Sequence, residues 1–597
     1  MNLTHRPPNN RHMSPESVAD LIALFLKSQG VTRVYGLCGG HIMPIWMRLD
    51  AHGIRIIDTR DERAAVYMAH AEAELTGRPG VALVTAGPGV TNAITGIANA
   101  HVARAPVLVI SGTPPMAQEH RGGLQDMSHI PLVQSITRFA RTVRHPDLVL
   151  SNLYEALACA MGQGGESGPV FIDFPVNVLR SQPSPAVLLP EHFKPLRLPR
   201  LTADEADVQA AVNLLWQAKR PLFISGRGAR GSSAALQQLL ETLGALYLDT
   251  GESRGLVPDS HDSVVAAMRG QVMQSADVVV TLGRKLDFQL AFGSPAVLGP
   301  VKFIRLSDNA AELRDNRRAD VELLGDVNLS LQALLKQGQH QTPATDTAWS
   351  AGLRQKHLQR VEKLQHSMPQ EAPGSDGLMH PNRVLAALRE ALPTDSVVVA
   401  DGGDFLSFAR VGLSSPHYLD PGPLGCIGVG TPFGIAASLA CPDKTVVVAT
   451  GDGAFGFNAM EIDTAVRHKA PVLIVVANNG AWAIEVRDQQ ETHGKVVGTR
   501  LQFADHAAMA QAFGMHAQRV ERAEDLPAAI EKALQNLPAL LDVLVTPEAV
   551  SSDAKSGLAW VPDLQALSSW DDLERAWRQG GTPKVRDLNR DEKMSVV

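Results

Sequence analysis

Residues 446–479 read VVVATGDGAFGFNAMEIDTAVRHKAPVLIVVANN. The run opens on an apolar stretch of strand length and breaks at a Gly-Asp-Gly turn. A helical pattern follows, and an Ala-Pro-Val-Leu turn leads into a second apolar stretch that ends on two asparagines. Strand, helix and strand in one sheet imply a parallel pair joined by a right-handed crossover. Residues 81–112, VALVTAGPGVTNAITGIANAHVARAPVLVISG, repeat the layout with Gly-Pro-Gly at the turn. The two regions are therefore expected to be structural relatives that carry different chemistry at one turn.

Outward from these two units, the chain reads as α/β throughout. A first region, 14–185, alternates helical patterns with strands at Arg55–Asp58, Val81–Thr85, Val107–Ser111 and Val170–Asp173, and ends in the Pro-punctuated SQPSPAVLLPEHFKPLRLPR. A second region, 200–337, has strands near Pro221–Ser225, Val278–Leu282 and Phe303–Leu306. Residues 338–375, one polar helical segment among Pro, Gly and Ser, read as a linker to a third region, 376–547. The polar residues 551–597 read as a C-terminal tail and possible lid. The expected fold is three doubly wound parallel-sheet domains plus that tail, since 597 residues exceed what one core organises.

The net charge of −7, with no long basic stretch, argues against nucleic acid as a partner. Cys38, Cys159, Cys426 and Cys441 lack zinc or CxxC spacing and suit a reducing compartment. MNLTHRPPNNRHM lacks the apolar core of a secretory signal, and no stretch reaches membrane-spanning length. A cytoplasmic protein with no membrane partner is expected.

The turn at 451–453 carries the chemistry. Its glycines allow close backbone approach and bare the amides opening the next helix, which suits a phosphate. Asp452 ends one strand with a carboxylate, and Asn479 ends its neighbour with an amide oxygen. Mg²⁺ takes few oxygens from protein and the rest from phosphate and water. Asp452, Asn479 and the carbonyl of Ala481 would supply three.

On these motifs the chain resembles the thiamine-diphosphate enzyme family that includes acetohydroxyacid synthases, oxalyl-CoA decarboxylases, 2-hydroxyacyl-CoA lyases and benzaldehyde lyases. The resemblance runs from about residue 14 to 547 and implies pyrimidine-binding, central and diphosphate-binding domains in that order. It implies thiamine diphosphate and Mg²⁺ as cofactors, with Asp452, Asn479 and Ala481 on the metal. Gly453, Ala454 and the Asp401-Gly402-Gly403-Asp404 turn would meet the diphosphate. Glu62, in IIDTRDERAA, stands where the family keeps a glutamate against N1′ of the aminopyrimidine. A carboxylate there favours the tautomer that places a base beside the weakly acidic C2 proton. In GPLGCIGVG, Ile427 would bend the cofactor and the Gly425 carbonyl would accept from its 4′-amino group. The family completes each site between two chains, so a homodimer or a dimer of dimers (a homotetramer) is implied.

Substrate-side residues then choose the reaction. His41, in GLCGGHIMPIW, and Gln125, in LQDMSH, fall where benzaldehyde lyase has its active-site histidine and glutamine. A lyase must take the substrate's hydroxyl proton as the adjacent carbon–carbon bond breaks, a task suited to neutral imidazole. After the asparagine pair, the Met and Trp of the acetohydroxyacid synthase signature are absent. Glu485 instead matches a glutamate of the bacterial 2-hydroxyacyl-CoA lyases. The reading is a carbon–carbon lyase that splits a 2-hydroxyacyl-CoA into an aldehyde or ketone plus formyl-CoA, or runs the reverse condensation. Its partners would be small molecules, an acyl-CoA thioester and a carbonyl compound. The alternatives are an acetohydroxyacid synthase-like or benzaldehyde lyase-like carboligase without CoA, and more remotely a non-catalytic nucleotide-binding relative. Lys555 and Trp560 of the tail are candidates for contact with an extended substrate. In the central region Arg227, Arg230, Arg284 and Lys285 are candidates for a nucleotide. The family's acidic residue after FIRL is displaced from Ser307 to Asp308, which weakens the case for FAD or ADP there.

Overall fold

The computed structural model describes residues 15–163, 165–551 and 579. The chain divides after Leu198 into two compact units. The first holds one sheet of β1 (Arg33–Gly36), β2 (Arg55–Asp58), β3 (Gly80–Val84), β4 (Val107–Thr113), β5 (Phe139–Thr142) and β6 (Val170–Pro175). Its order is β2-β1-β3-β4-β6-β5 and every pairing is parallel. Val81, Leu83, Leu108, Ile110, Val170 and Ile172 share a core with the helices Val18–Ser28 and Val149–Ala160. The intervening Ala82, Val109 and Phe171 are equally buried and point to the opposite face, because side chains alternate along a strand. Burial on both faces is why these strands read as unbroken apolar runs.

The second unit holds two sheets. One comprises β7 (Pro221–Ser225), β8 (Leu246–Leu248), β9 (Val278–Leu282), β10 (Lys302–Ser307) and β11 (Val321–Leu324) in the order β11-β10-β9-β7-β8. The other comprises β12 (Val397–Asp401), β13 (His417–Leu419), β14 (Val446–Gly451), β15 (Val472–Asn478), β16 (His516–Val520) and β17 (Ala539–Leu544). Its order, β13-β12-β14-β15-β17-β16, is the permutation of the first sheet. The kinship expected between 81–112 and 446–479 thus extends to whole sheets. The Gly-Pro-Gly and Gly-Asp-Gly turns follow the third strand of each.

In both sheets the strand order reverses between the first and third strands, β1 and β3 or β12 and β14. Ligands of doubly wound sheets bind at that reversal, beyond the carboxyl ends of the strands. The segment 338–375 differs from a loose linker. Its helix Thr347–Ser367 buries Leu353 in the central core and accepts the Ala267 amide on buried His357. The following Met368 lies in the core of the third sheet. Only Leu353 and His357 are buried along those helical residues, so too few apolar positions mark it as packed. None of the four cysteines forms a disulfide, and among the described residues no helix is long and apolar enough to cross a membrane. Lys555, Trp560 and the tail beyond 551, but for residue 579, lie outside the described residues.

Candidate active site

In the first unit the candidate groups gather at the strand-order reversal. His41 stands in the turn between β1 and the helix Met43–Ala51. Gly112, on β4, makes room for it, since a Cβ there would lie 2.3 Å from the His41 carbonyl oxygen. His41 Nδ1 lies 3.0 Å from Gln125 Oε1. With Nδ1–H donating to that oxygen, Nε2 keeps its lone pair. Burial lowers the His41 pKa, against the raising effect of the Gln125 hydrogen bond, so the imidazole is neutral near pH 7.

Glu62 is the first residue of the helix Glu62–Thr76, whose start is capped by Asp61 accepting from the Arg63 amide. Its carboxylate is buried and accepts from Asn92 Nδ2 at 3.1 Å. A Cβ on Gly89 would lie 3.3 Å from Glu62 Oε1, so the glycine leaves that oxygen its space. Asn92 lies within the quoted TAGPGVTNAITG, but nothing in its spacing marked it as the partner of Glu62. Nor did the sequence reading find His129, whose ring joins Asp173 Oδ2 at 2.8 Å to the Gly87 amide at 2.9 Å.

In the second unit three turns converge. Asp452 Oδ2 accepts from the Gly480 amide at 3.1 Å, which ties the Gly-Asp-Gly turn to the end of β15. A Cβ on Gly453 would lie 2.5 Å from the Trp482 ring, one on Gly403 2.8 Å from Ile484, and one on Gly402 3.3 Å from Ala454. Burial pushes the Asp452 carboxyl up to about 6, although the Asn479, Gly453 and Gly480 amides favour its charged form. Asn479 is buried, and its Oδ1 accepts from the Ala481 amide at 3.1 Å. Ala481 bridges Arg500 in antiparallel fashion through the flanking Leu501–Gly480 and Trp482–Thr499 bonds. That pattern turns the N–H and carbonyl of Ala481 away from Arg500, to the side of Asn479. The preceding Asn478 has another task. Its Nδ2 donates to Asp542 Oδ1 and to the Ala504 carbonyl, both at 2.9 Å.

Asp401, at the end of β12, was expected in the turn that meets the diphosphate, but its carboxylate turns to the neighbouring loop instead. It accepts from the amides of Gly402, Gly428 and Gly430, and so clamps the loop carrying Gly425 and Ile427. Burial raises its carboxyl to about 6. Gly425 is exposed at φ +69 and Ile427 is half-buried. The Asp404 side chain pairs with Arg487 at 2.5 Å, which leaves its backbone amide, at the head of the helix Asp404–Gly412, for any anion. Glu485 is exposed in the first turn of Ala483–His493.

Among the described residues no three carboxylate, imidazole or thiol side chains assemble as a metal set. One carboxylate, one amide oxygen and one carbonyl make the smaller set that Mg²⁺ takes when phosphate and water complete its shell. A Cβ on Gly451 would meet nothing within 4 Å, so the space at the turn is open. These residues fit a metal-bound diphosphate. In the central sheet Arg284 is spoken for: it is fully buried and held by Asp287, Glu252 and Gln289. Ser307 is buried and donates to Glu312, while Asp308 is exposed.

Comparison with known proteins adds three family models. "Thiamine pyrophosphate enzyme, N-terminal TPP binding domain" matches residues 16–132, the central domain matches 208–334 and the C-terminal TPP binding domain matches 401–543. The chain is 34% identical over 553 residues to a "Probable acetolactate synthase" of Mycobacterium bovis, covering 90% of this chain and 97% of the relative. It is 33% identical over 537 residues to human "2-hydroxyacyl-CoA lyase 2", covering 83% of each. It is 32% identical over 567 residues to mouse "2-hydroxyacyl-CoA lyase 1", covering 90% and 96%.

Proposed function

Because this chain belongs to the thiamine pyrophosphate enzyme family, whose carbon–carbon lyase and carboligase chemistry it shares, we propose that it cleaves a 2-hydroxyacyl-CoA into an aldehyde or ketone and formyl-CoA, reversibly. The observation that carries this reading is the His41–Gln125 pair, a neutral imidazole whose Nε2 keeps its lone pair at the strand-order reversal. Its relatives named 2-hydroxyacyl-CoA lyase support the choice of thioester.

Bound thiamine diphosphate supplies a nucleophilic carbon and an electron sink. Asp452, Asn479 and the Ala481 carbonyl would hold Mg²⁺ against its diphosphate, with Gly403, Asp404, Gly453 and Ala454 presenting backbone amides. Gly425 and Ile427 would orient the rings. Glu62, oriented by Asn92, would hold the proton shared with the aminopyrimidine N1′. His41 Nε2 takes the hydroxyl proton of the substrate as the bond between the hydroxyl-bearing carbon and the thioester carbon breaks, and the carbonyl product leaves. In the reverse direction the same imidazolium returns the proton, as microscopic reversibility requires. Glu485 is assigned proton transfer or charge placement at the formyl carbon before release. The domains are taken as 14–185, 200–337 and 376–547, and each site as completed across a homodimer or dimer of dimers in the cytoplasm.

The test offers one preparation a 2-hydroxyacyl-CoA, benzoin and pyruvate side by side. Release of formyl-CoA, lost in His41→Ala in both directions, is expected. The relative named acetolactate synthase sustains a second reading, a carboligase for 2-oxo acids. Efficient acetolactate formation without thioester cleavage would establish that reading instead. Benzoin cleavage alone would favour a lyase independent of CoA.

A further inference from the structure

His129 and Asp173 lie 44 residues apart in sequence and are both buried. Both side chains are within 1% of complete burial, His129 edge-on to Phe171 at 6.1 Å. The ring has one partner at each nitrogen. Nδ1 faces Asp173 Oδ2, an acceptor, and Nε2 faces the Gly87 N–H, a donor. Only one protonation state satisfies both: the neutral ring with its proton on Nδ1. An imidazolium would set two N–H groups against each other at Gly87. The carboxylate of Asp173 therefore selects a tautomer, as the acid of a catalytic triad does for its histidine.

What that tautomer holds is the Gly-Pro-Gly turn. Gly87 has φ +62 and caps the helix Pro88–Val102. On its Cα side lies Gln125, itself at φ +60, whose Cβ would be 3.0 Å from a Cβ on Gly87. Gln125 carries the amide that meets His41, and the helix begun at Gly87 carries Asn92 to Glu62. One buried imidazole is thus linked to both candidate reacting groups through the Gly87 turn.

We propose that the Asp173–His129 pair is the positioning element of this site, fixing the Gly87 turn so that Gln125 sets the His41 tautomer and Asn92 sets the Glu62 rotamer. The inference rests on the assignment of His41 and Glu62 made above. It adds two positioning residues that never contact substrate.

The test compares substitutions that imitate different ring nitrogens. His129→Gln places an amide oxygen near Nε2 and can still accept from Gly87. His129→Asn places its amide near Nδ1, satisfies Asp173 and leaves the Gly87 amide without an acceptor. Misplacement of reacting groups by about 1 Å costs on the order of 10²-fold in rate. His129→Asn is therefore expected to lose about 10²-fold in kcat, with KM and thiamine diphosphate affinity held within about twofold, and His129→Gln is expected to recover most of the loss. Equal losses in the two variants, or a loss carried by KM or cofactor affinity instead of kcat, would overturn the proposal. Should His129→Asn not fold, Asp173→Asn decides. It keeps the shape but lets the ring take the wrong tautomer, so kcat must fall, and an unchanged kcat refutes positioning. Glu62→Gln and His41→Ala run in parallel. If those two leave turnover intact, the assignment of the site fails; if they abolish it while the His129 and Asp173 variants do not, only the positioning inference fails.

Discussion

Glu62 and Asp452 have opposite needs, and each has a test of its own. Glu62→Gln keeps the Asn92 contact through the amide oxygen but cannot share a proton with N1′ as a carboxylate does. Cofactor affinity should stay near wild type while C2 hydrogen–deuterium exchange slows by about 10²–10⁴-fold, read by NMR of quenched cofactor. Exchange at the wild-type rate would remove Glu62 from the chemistry. For Asp452 the readout is pH. Its carboxyl titrates at about 6, and Mg²⁺ binds only the ionised form. Isothermal titration should therefore show metal-dependent cofactor affinity falling by about tenfold per unit as pH drops below 6, with no such slope in Asp452→Ala. The sign reverses for metal-free stability. A folded pKa raised above the unfolded value near 4 makes the group's contribution full below about 4 and lost as pH rises through 6. Of these residues, Glu62, Asp452 and Asn479 were legible because their motifs are short and contiguous. His129 and Asp173 were not, since nothing local marks two polar residues 44 positions apart as partners. Asn479 was the member of the asparagine pair singled out, while the task of Asn478, its bond to Asp542 64 residues on, had no local mark.

The decisive elements are turns held by groups at strand ends. Asp401 receives three amides, two of them from the loop that carries Gly425 and Ile427, and that loop's Gly428 carbonyl accepts from Asn458 at 2.6 Å. Asp401→Asn would turn an NH₂ toward at least one of those N–H groups, leaving a buried donor unpaired at about 1–3 kcal/mol. The loop should loosen, cofactor affinity should fall roughly tenfold, and global unfolding should shift by no more than that local cost. Unchanged affinity would show that the loop keeps its course without the clamp. The sequence put Asp401 in the diphosphate turn with Gly402, Gly403 and Asp404, and nothing local marks its carboxylate as the clamp of a loop 27 residues on. The helix Thr347–Ser367 was legible as a polar helical segment but not as a packed one, since only two of its positions are buried.

At the scale of the whole molecule, the strand alternation and the two related βαβ units foretold three parallel sheets, and three are present. What no strand pattern conveys is how chains combine. If each site joins the first unit of one chain to the second unit of its partner, Glu62→Gln and Asp452→Ala proteins, each inactive alone, should complement when refolded together. About a quarter of the wild-type turnover should return, because half the dimers are mixed and each carries one intact site. No recovery would place both halves within one chain. The central sheet makes a separate demand. With Arg284 engaged by Asp287 and Glu252 and with Ser307 in place of an acidic strand end, the purified protein should be colourless and active without FAD. A yellow preparation with stoichiometric flavin would support the synthase reading. The shared permutation of the first and third sheets bears on heredity as well. Two copies of one scaffold can drift apart in sequence and in helix lengths while the strand order is kept. At the same topological position one copy exposes Gly-Asp-Gly, while in the other an imidazole occupies the Gly87 amide. Descent from a common duplicated ancestor would account for the shared permutation, with the turn amide given to an imidazole in one copy and a carboxylate set beside the turn in the other.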